Sequence, residues 1–150
     1  MDVTDLPYID KHVNIPALYD WCSIPREGAR LVHIAVERQQ SYPEFGERCV
    51  ACNRARGYSG PATFALGVSY GMLMAWCMEL GRSHNIPFST PMPAVWKKYF
   101  GLSSDKEAVR EAALKTWPAA APFLKFKKNH GRAEAMFIAE YARAKSERTH

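Results

Sequence analysis

Two acids and a histidine are of the types that a hydrolytic metal site uses. Glu37 closes an apolar, β-branched run at positions 31–37, and Glu134 falls in the first turn of a helix that opens near Gly131. A carboxylate at a strand end sits at the rim of a sheet, and one in a first helical turn is favoured by the helix dipole. If the fold joins them, they are the hard oxygen ligands that a divalent cation beside a phosphate requires. His130 lies one helical turn before Glu134 and is able to bind metal, position water or protonate a leaving oxygen. Each acid also has a plainer reading, Glu37 as a solvated strand end and Glu134 as an ordinary helix-start acid. Cys49-x-x-Cys52 is half of a zinc site. With no second ligand pair in view, free thiols are the default, and a zinc shared across a dimer or completed by a histidine is the alternative.

Basic residues surround these positions in groups. Arg38, Arg48, Arg54 and Arg56 share a polar stretch with Tyr42 and Phe45; Lys97-Lys98 form a second group, and Lys125, Lys127 and Lys128 with Arg132 a third beside His130. Taken singly they read as solvated surface, whereas as a set bordering acids they suit a nucleic-acid backbone. Tyr42 and Phe45 are able to wedge into opened DNA. The formal charge of +5 leans the same way without excluding other partners.

The elements that must carry these residues can be read from pattern. With 150 residues, 47% of them hydrophobic and 12% aromatic, the chain forms one cored domain rather than a disordered tail. Asn14 caps a helix with Pro16 in its first turn. The run at 31–37 predicts a strand buried on both faces. A long polar loop spans 38–61, and a helix is expected over 63–80 with Gly81 as its stop. A short edge strand at 86–90 precedes a brief helix at 94–100 that ends at Gly101. Ser104-x-x-Glu107 reads as a capping box opening a helix to about Trp117. The last helix runs from near Gly131 through Ala133, Met136, Phe137 and Tyr141, and the tail at 146–150 is polar. Alternating strands and helices predict the α/β class.

The four cysteines do not make a disulfide scaffold, the first residues lack the apolar region of a signal peptide, and the apolar stretch 64–78 falls short of a membrane span. These features lead us to expect a cytoplasmic protein without membrane attachment.

Several segments together resemble a known family. They are Val36-Glu37-Arg38-Gln39-Gln40 with Pro43 and Gly46, the Gly-containing helix from Phe64 to Gly71, and Pro93-Ala94-Val95-Trp96-Lys97-Lys98. Asp105-Lys106 and Lys127-Lys128-Asn129-His130-Gly131-Arg132-Ala133-Glu134-Ala135 complete the set. Their order and spacing resemble the phage and bacterial branch of the RuvC-like crossover junction endodeoxyribonucleases, over nearly the whole chain.

That resemblance implies an RNase H-like, three-layer α/β fold with a mixed sheet, over residues 1–145. It also implies a Holliday junction resolvase: a Mg²⁺-dependent endonuclease, with Mn²⁺ as the other usable ion, that hydrolyses phosphodiesters in branched DNA during recombination or phage DNA processing. Glu37, Glu134, His130 and Asn129 are then the catalytic set, with Glu37 and Glu134 on the metal. Arg38, Gln39, Gln40, Arg54, Arg56, Lys97, Lys98, Lys127, Lys128 and Arg132 are the DNA contacts. The partners implied are a four-way junction and a second copy of the chain, docked through the small-residue face around Gly67 and Gly71.

The sequence departs from the pattern at two points. Asn129 stands where the family carries an acid. The family's first strands, with a G-I-D-P-G turn whose aspartate is a metal ligand, have no counterpart, since Asp5-Leu6-Pro7 matches the family's segment just after its second strand. Activity of the chain is therefore expected to be poor, with Asp2 or Asp5 as remote substitutes. The alternative is a catalytically impaired homologue that binds branched DNA or a protein.

Overall fold

The computed structural model describes residues 5–9, 12–23, 31–38 and 60–147. Helices dominate them, and the β structure is confined to two short pairs. β1 (Tyr8–Ile9) and β2 (His12–Val13) form an antiparallel pair that sequence patterning did not signal. α1 (Ile15–Ser23) comes next, its first turn capped as expected by the Asn14 side-chain oxygen, which accepts from the Ala17 N–H at 3.2 Å.

β3 (Ile34–Ala35) and β4 (Phe88–Ser89) pair in parallel through the long crossover helix α2 (Gly60–His84). The expected mixed sheet of a three-layer fold reduces, among the described residues, to this parallel pair and the separate antiparallel one. The strand expected over 31–37 is also shorter and wetter than its apolar run implied. Leu31 and Val32 are each 49% exposed, because the pairing begins only at Ile34. Beyond Ala35 the extended chain keeps bonding to the β4 side, with Val36 N–H donating to Ser89 O and Arg38 N–H to Pro91 O. That ladder carries the backbone straight through Glu37.

α2 overruns both of its expected ends. Gly81 is inside the helix rather than its stop, and the left-handed residue at the terminus is Asn85, with φ 53°. Gly81 is required for another reason. The chain folds back so that Ile86 N–H donates to Gly81 O at 2.8 Å, and a Cβ at Gly81 would lie 2.8 Å from the Ile86 carbonyl oxygen. The segment Phe64–His84 is long and apolar enough, by length and composition, to cross a membrane; the apolar stretch thus runs further than 64–78.

α3 (Pro93–Tyr99) starts on a proline and ends ahead of Gly101, whose φ of +65° suits glycine. α4 (Lys106–Thr116) is capped by Asp105, which accepts from Ala108 N–H at 2.8 Å, and not by Ser104. An aspartate one residue on caps the amide one residue on, that of Ala108 rather than Glu107, and Glu107 is left to pair with Arg110. Two 3-10 turns, Pro118–Phe123 and Lys127–Asn129, lead into α5 (His130–Glu147), which extends into the segment expected as tail.

The main core lies where α3, α4 and α5 meet. Trp96, Val109, Ala113, Leu124 and Ala133 are all fully buried there, with Phe137 packed on Phe100 and Trp117. This core fixes α5 against the β3 end of the molecule, and so decides what stands beside Glu37.

Candidate functional site

Glu37 and Glu134 stand close enough for their charges to interact, each bonded to one of two adjacent residues. Glu37 leaves the β3 ladder half-buried, and Glu134 lies in the second turn of α5, one turn later than expected because the helix already starts at His130. Burial is the main force raising the Glu37 carboxyl above its ordinary range. The Trp96 hydrogen bond opposes that rise, the charge of Glu134 adds to it, and Lys97 opposes it weakly. Repulsion between the two carboxylates is thus part of the site's electrostatics.

The short helix α3 supplies both partners of this pair from consecutive residues. Trp96, with 0% exposure, donates its indole N–H to Glu37 Oε1 at 2.9 Å. Lys97 places its ammonium 2.9 Å from Glu134 Oε1, in an ion pair whose side chains are only 17% and 19% exposed. Lys97 also lies 5.1 Å from the Trp96 ring centre. Sequence reading assigned Lys97 to phosphate and gave Trp96 no role in the site. The available signal was a large aromatic with a polar N–H directly before a lysine, since a buried indole must find an acceptor.

The other candidate residues divide clearly. His130 is half-buried at the start of α5, and its Nδ1 lies 3.2 Å from the Lys127 carbonyl oxygen. A carbonyl only accepts, so Nδ1 carries the hydrogen and Nε2 is the acceptor in the neutral ring. Asn129 uses its side-chain oxygen locally, accepting the Phe126 N–H at 2.9 Å. Arg132 is clamped to Asp5 by both carboxylate oxygens at 2.7 Å and also donates to Phe123 O. Asp5, held below its usual range chiefly by that hydrogen bond, is thereby committed away from Glu37. Arg38, Lys98, Lys127 and Lys128 are exposed. Gln39, Gln40, Arg54 and Arg56, with Tyr42, Phe45, Arg48, Cys49, Cys52 and Asp2, lie outside the described residues.

A second polar cluster escaped the sequence reading. His33 bridges two hydroxyls, Ser146 Oγ at 2.6 Å from Nδ1 and Ser89 Oγ at 2.8 Å from Nε2. It lines a shallow cavity of about 230 Å³ with Thr90, Pro91, Tyr141 and Lys145. Burial lowers the His33 pKa from its ordinary value. The ring ties the end of α5 to both strands.

Among the described residues no three His, Cys, Asp or Glu side chains group as metal ligands. The site is a carboxylate pair with a lysine and an indole N–H. Its oxygen donors suit a hard cation, and its electrostatic need for positive charge is met in part by Lys97. No known protein family matches this chain, and no curated protein matches it.

Proposed function

We propose that this chain is a RuvC-like, Mg²⁺-dependent endonuclease for branched DNA, with an RNase H-like arrangement of helices about its parallel strand unit. The observation that supports this most is that Glu37 and Glu134, from distant parts of the chain, are each bonded to one of two consecutive residues of α3, Trp96 and Lys97. Burying two like charges together is costly unless a cation is expected there.

In this reading Glu37 and Glu134 hold the ion. Mg²⁺, or Mn²⁺ in its place, would lower the pKa of a bound water and take up charge from the phosphate. Trp96 keeps the Glu37 carboxylate aimed by its indole hydrogen bond. Lys97 neutralises Glu134 until DNA arrives and then has a phosphate oxygen as a second partner. The attacking water oxygen bonds to phosphorus as the P–O3′ bond breaks. His130 Nε2, the acceptor of the neutral ring, would take the proton that the water loses, and the departing O3′ would take one from solvent. Lys98, Lys127, Lys128 and Arg38 supply phosphate contacts that fix position rather than sequence.

The partner copy docks in this proposal through α2. Phe64 is 73%, Leu66 45%, Met72 40% and Met78 55% exposed on it, and Gly67 and Gly71 have open space where a Cβ would be. A four-way junction is nearly two-fold symmetric, which a C2 dimer would match.

A second reading has its own support. Only two acids share this site among the described residues, and each already has an internal partner. That arrangement suits a catalytically impaired homologue that binds branched DNA in the cytoplasm without cutting it.

One experiment separates the two. A labelled four-way junction is incubated with the protein in Mg²⁺ and in Mn²⁺, with Glu37→Gln and Glu134→Gln in parallel. Cleavage that both substitutions abolish supports the nuclease. Tight, salt-sensitive binding without cleavage supports the binder, and failure to prefer junctions over duplex overturns both.

A further inference from the structure

We propose that Phe126 is a stacking platform for an unpaired nucleobase, with Lys125 and Lys128 holding the phosphates on either side of it. The proposal rests on the reading of the chain as a DNA-binding protein, and it names the part of the DNA that one surface takes.

Phe126 is 55% exposed although the main core lies directly behind its segment, where Leu124 is fully buried. Two ammonium groups stand over its ring, Lys125 Nζ at 5.5 Å and Lys128 Nζ at 5.7 Å from its centre, on flexible stems that a base can displace towards its phosphates. The backbone that carries the ring is also held in place. Phe126 N–H donates to Asn129 Oδ1 and Asn129 N–H to Phe126 O, both at 2.9 Å. Immediately upstream, Arg110 donates to Leu124 O at 2.8 Å and Arg132 to Phe123 O at 3.1 Å. A platform fixed in advance loses little entropy when a flat ligand settles on it.

Charge selects the ligand. The stretch 118–133 contains no acid, and Lys125, Lys127 and Lys128 form no ion pair among the described residues. An acidic peptide would answer the lysines but offers a flat face only where it carries an aromatic. A nucleic-acid strand repeats a π face and a phosphate in every unit, which is the pattern this surface presents. Paired bases hide their faces in the stack, so the ligand is an unpaired stretch, such as the open centre of a junction. Glu134 stands near the same end of α5, with His130 and Glu134 separated by about 6 Å of helix rise. A base seated on Phe126 would therefore place its strand beside the carboxylate pair.

The test uses the full chain and anisotropy of a labelled short oligothymidylate, its abasic counterpart and a duplex of equal charge. The wild type is expected to prefer the oligothymidylate over the abasic strand. Phe126→Ala should weaken oligothymidylate binding about 5- to 100-fold, the range for loss of one stacked base, while duplex binding stays within about twofold. Phe126→Trp should restore it. Lys125→Gln with Lys128→Gln should flatten the dependence of log affinity on log salt by about 0.7 per lysine. Circular dichroism establishes that each variant is folded, as expected for substitutions at an exposed position. If the wild type binds DNA and Phe126→Ala leaves oligothymidylate binding unchanged, the stacking role falls while the DNA-binding reading stands. If polyglutamate competes as well as the oligothymidylate, the surface takes acidic protein instead. If the wild type binds no DNA at all, both readings fall together.

Discussion

Trp96, buried without exposure, donates its indole N–H to Glu37, and the next residue, Lys97, pairs with Glu134. One turn of α3 therefore serves both carboxylates of the site. In a helix adjacent side chains diverge by about 100°, so each acid has its own partner on α3. This arrangement makes the site's stability and its cation binding separable by substitution.

Replacing Trp96 with Phe keeps a ring in the core but leaves a half-buried carboxylate oxygen without its donor. Thermal unfolding should show a loss of about 1–3 kcal/mol, the cost of an unsatisfied buried acceptor. A Trp96→Phe protein as stable as the wild type would mean that the indole hydrogen bond contributes nothing.

Lys97 competes with any added cation for Glu134. Lys97→Met should lower stability on the order of 1–3 kcal/mol, because it exposes the two carboxylates to each other. It should also raise Mn²⁺ affinity roughly three- to tenfold, the scale of one partly screened charge at contact distance. Titration calorimetry reads the second effect directly, and unchanged or weaker Mn²⁺ binding would place the ion elsewhere.

Glu37 has a raised pKa, so the folded state holds its proton to higher pH than the unfolded chain does. Stability from this group is therefore present at low pH and is lost as pH rises from the ordinary glutamate range through the raised folded value. Glu37→Gln removes that loss and still accepts from Trp96. The melting-temperature advantage of Glu37→Gln over the wild type should grow between about pH 4 and pH 7. A difference that stays flat with pH would contradict the buried, repelled state of the carboxylate.

His33 shows the opposite sign. Its pKa is lowered by burial, so the unfolded chain binds the proton more readily and stability falls as pH drops through the ordinary histidine range. His33→Gln should remove that acid sensitivity and loosen the end of α5 first, visible as faster amide exchange near Ser146.

The glycines of α2 separate by their surroundings. Gly81→Ala drives a Cβ against the Ile86 carbonyl and should cost about 1–3 kcal/mol. Gly67→Ala and Gly71→Ala meet open space and should add roughly 0.5–1 kcal/mol through helix propensity. A bulkier Gly71→Leu should leave the fold intact but shift a dimer to monomer in sedimentation, if α2 is the face between copies.

The helices were the most legible part of the chain, because capping and breaking residues act within a few positions. Asn14 marks a start correctly, and Gly101 marks a stop. The errors were local too. Asp105 outcompetes Ser104 as a cap, and Gly81 reads as a terminator because a glycine required by a close approach looks the same in sequence as one required by a turn. The run at 31–37 overstated its strand, since apolarity records a preference for burial and not how many residues find a pairing neighbour.

Sequence alone picked out Glu37 and Glu134 as an acid at a strand end and an acid near a helix start, and it supplied the basic residues around them. Only the tertiary structure decided that the two acids share one short helix, that Trp96 and Lys97 are their partners, and that Asn129 turns back on Phe126. Local pattern is written by interactions within one or two turns of chain. Contacts such as Trp96 with Glu37 depend instead on how α3 and α5 pack in a shared core, and no short stretch of sequence encodes that packing by itself.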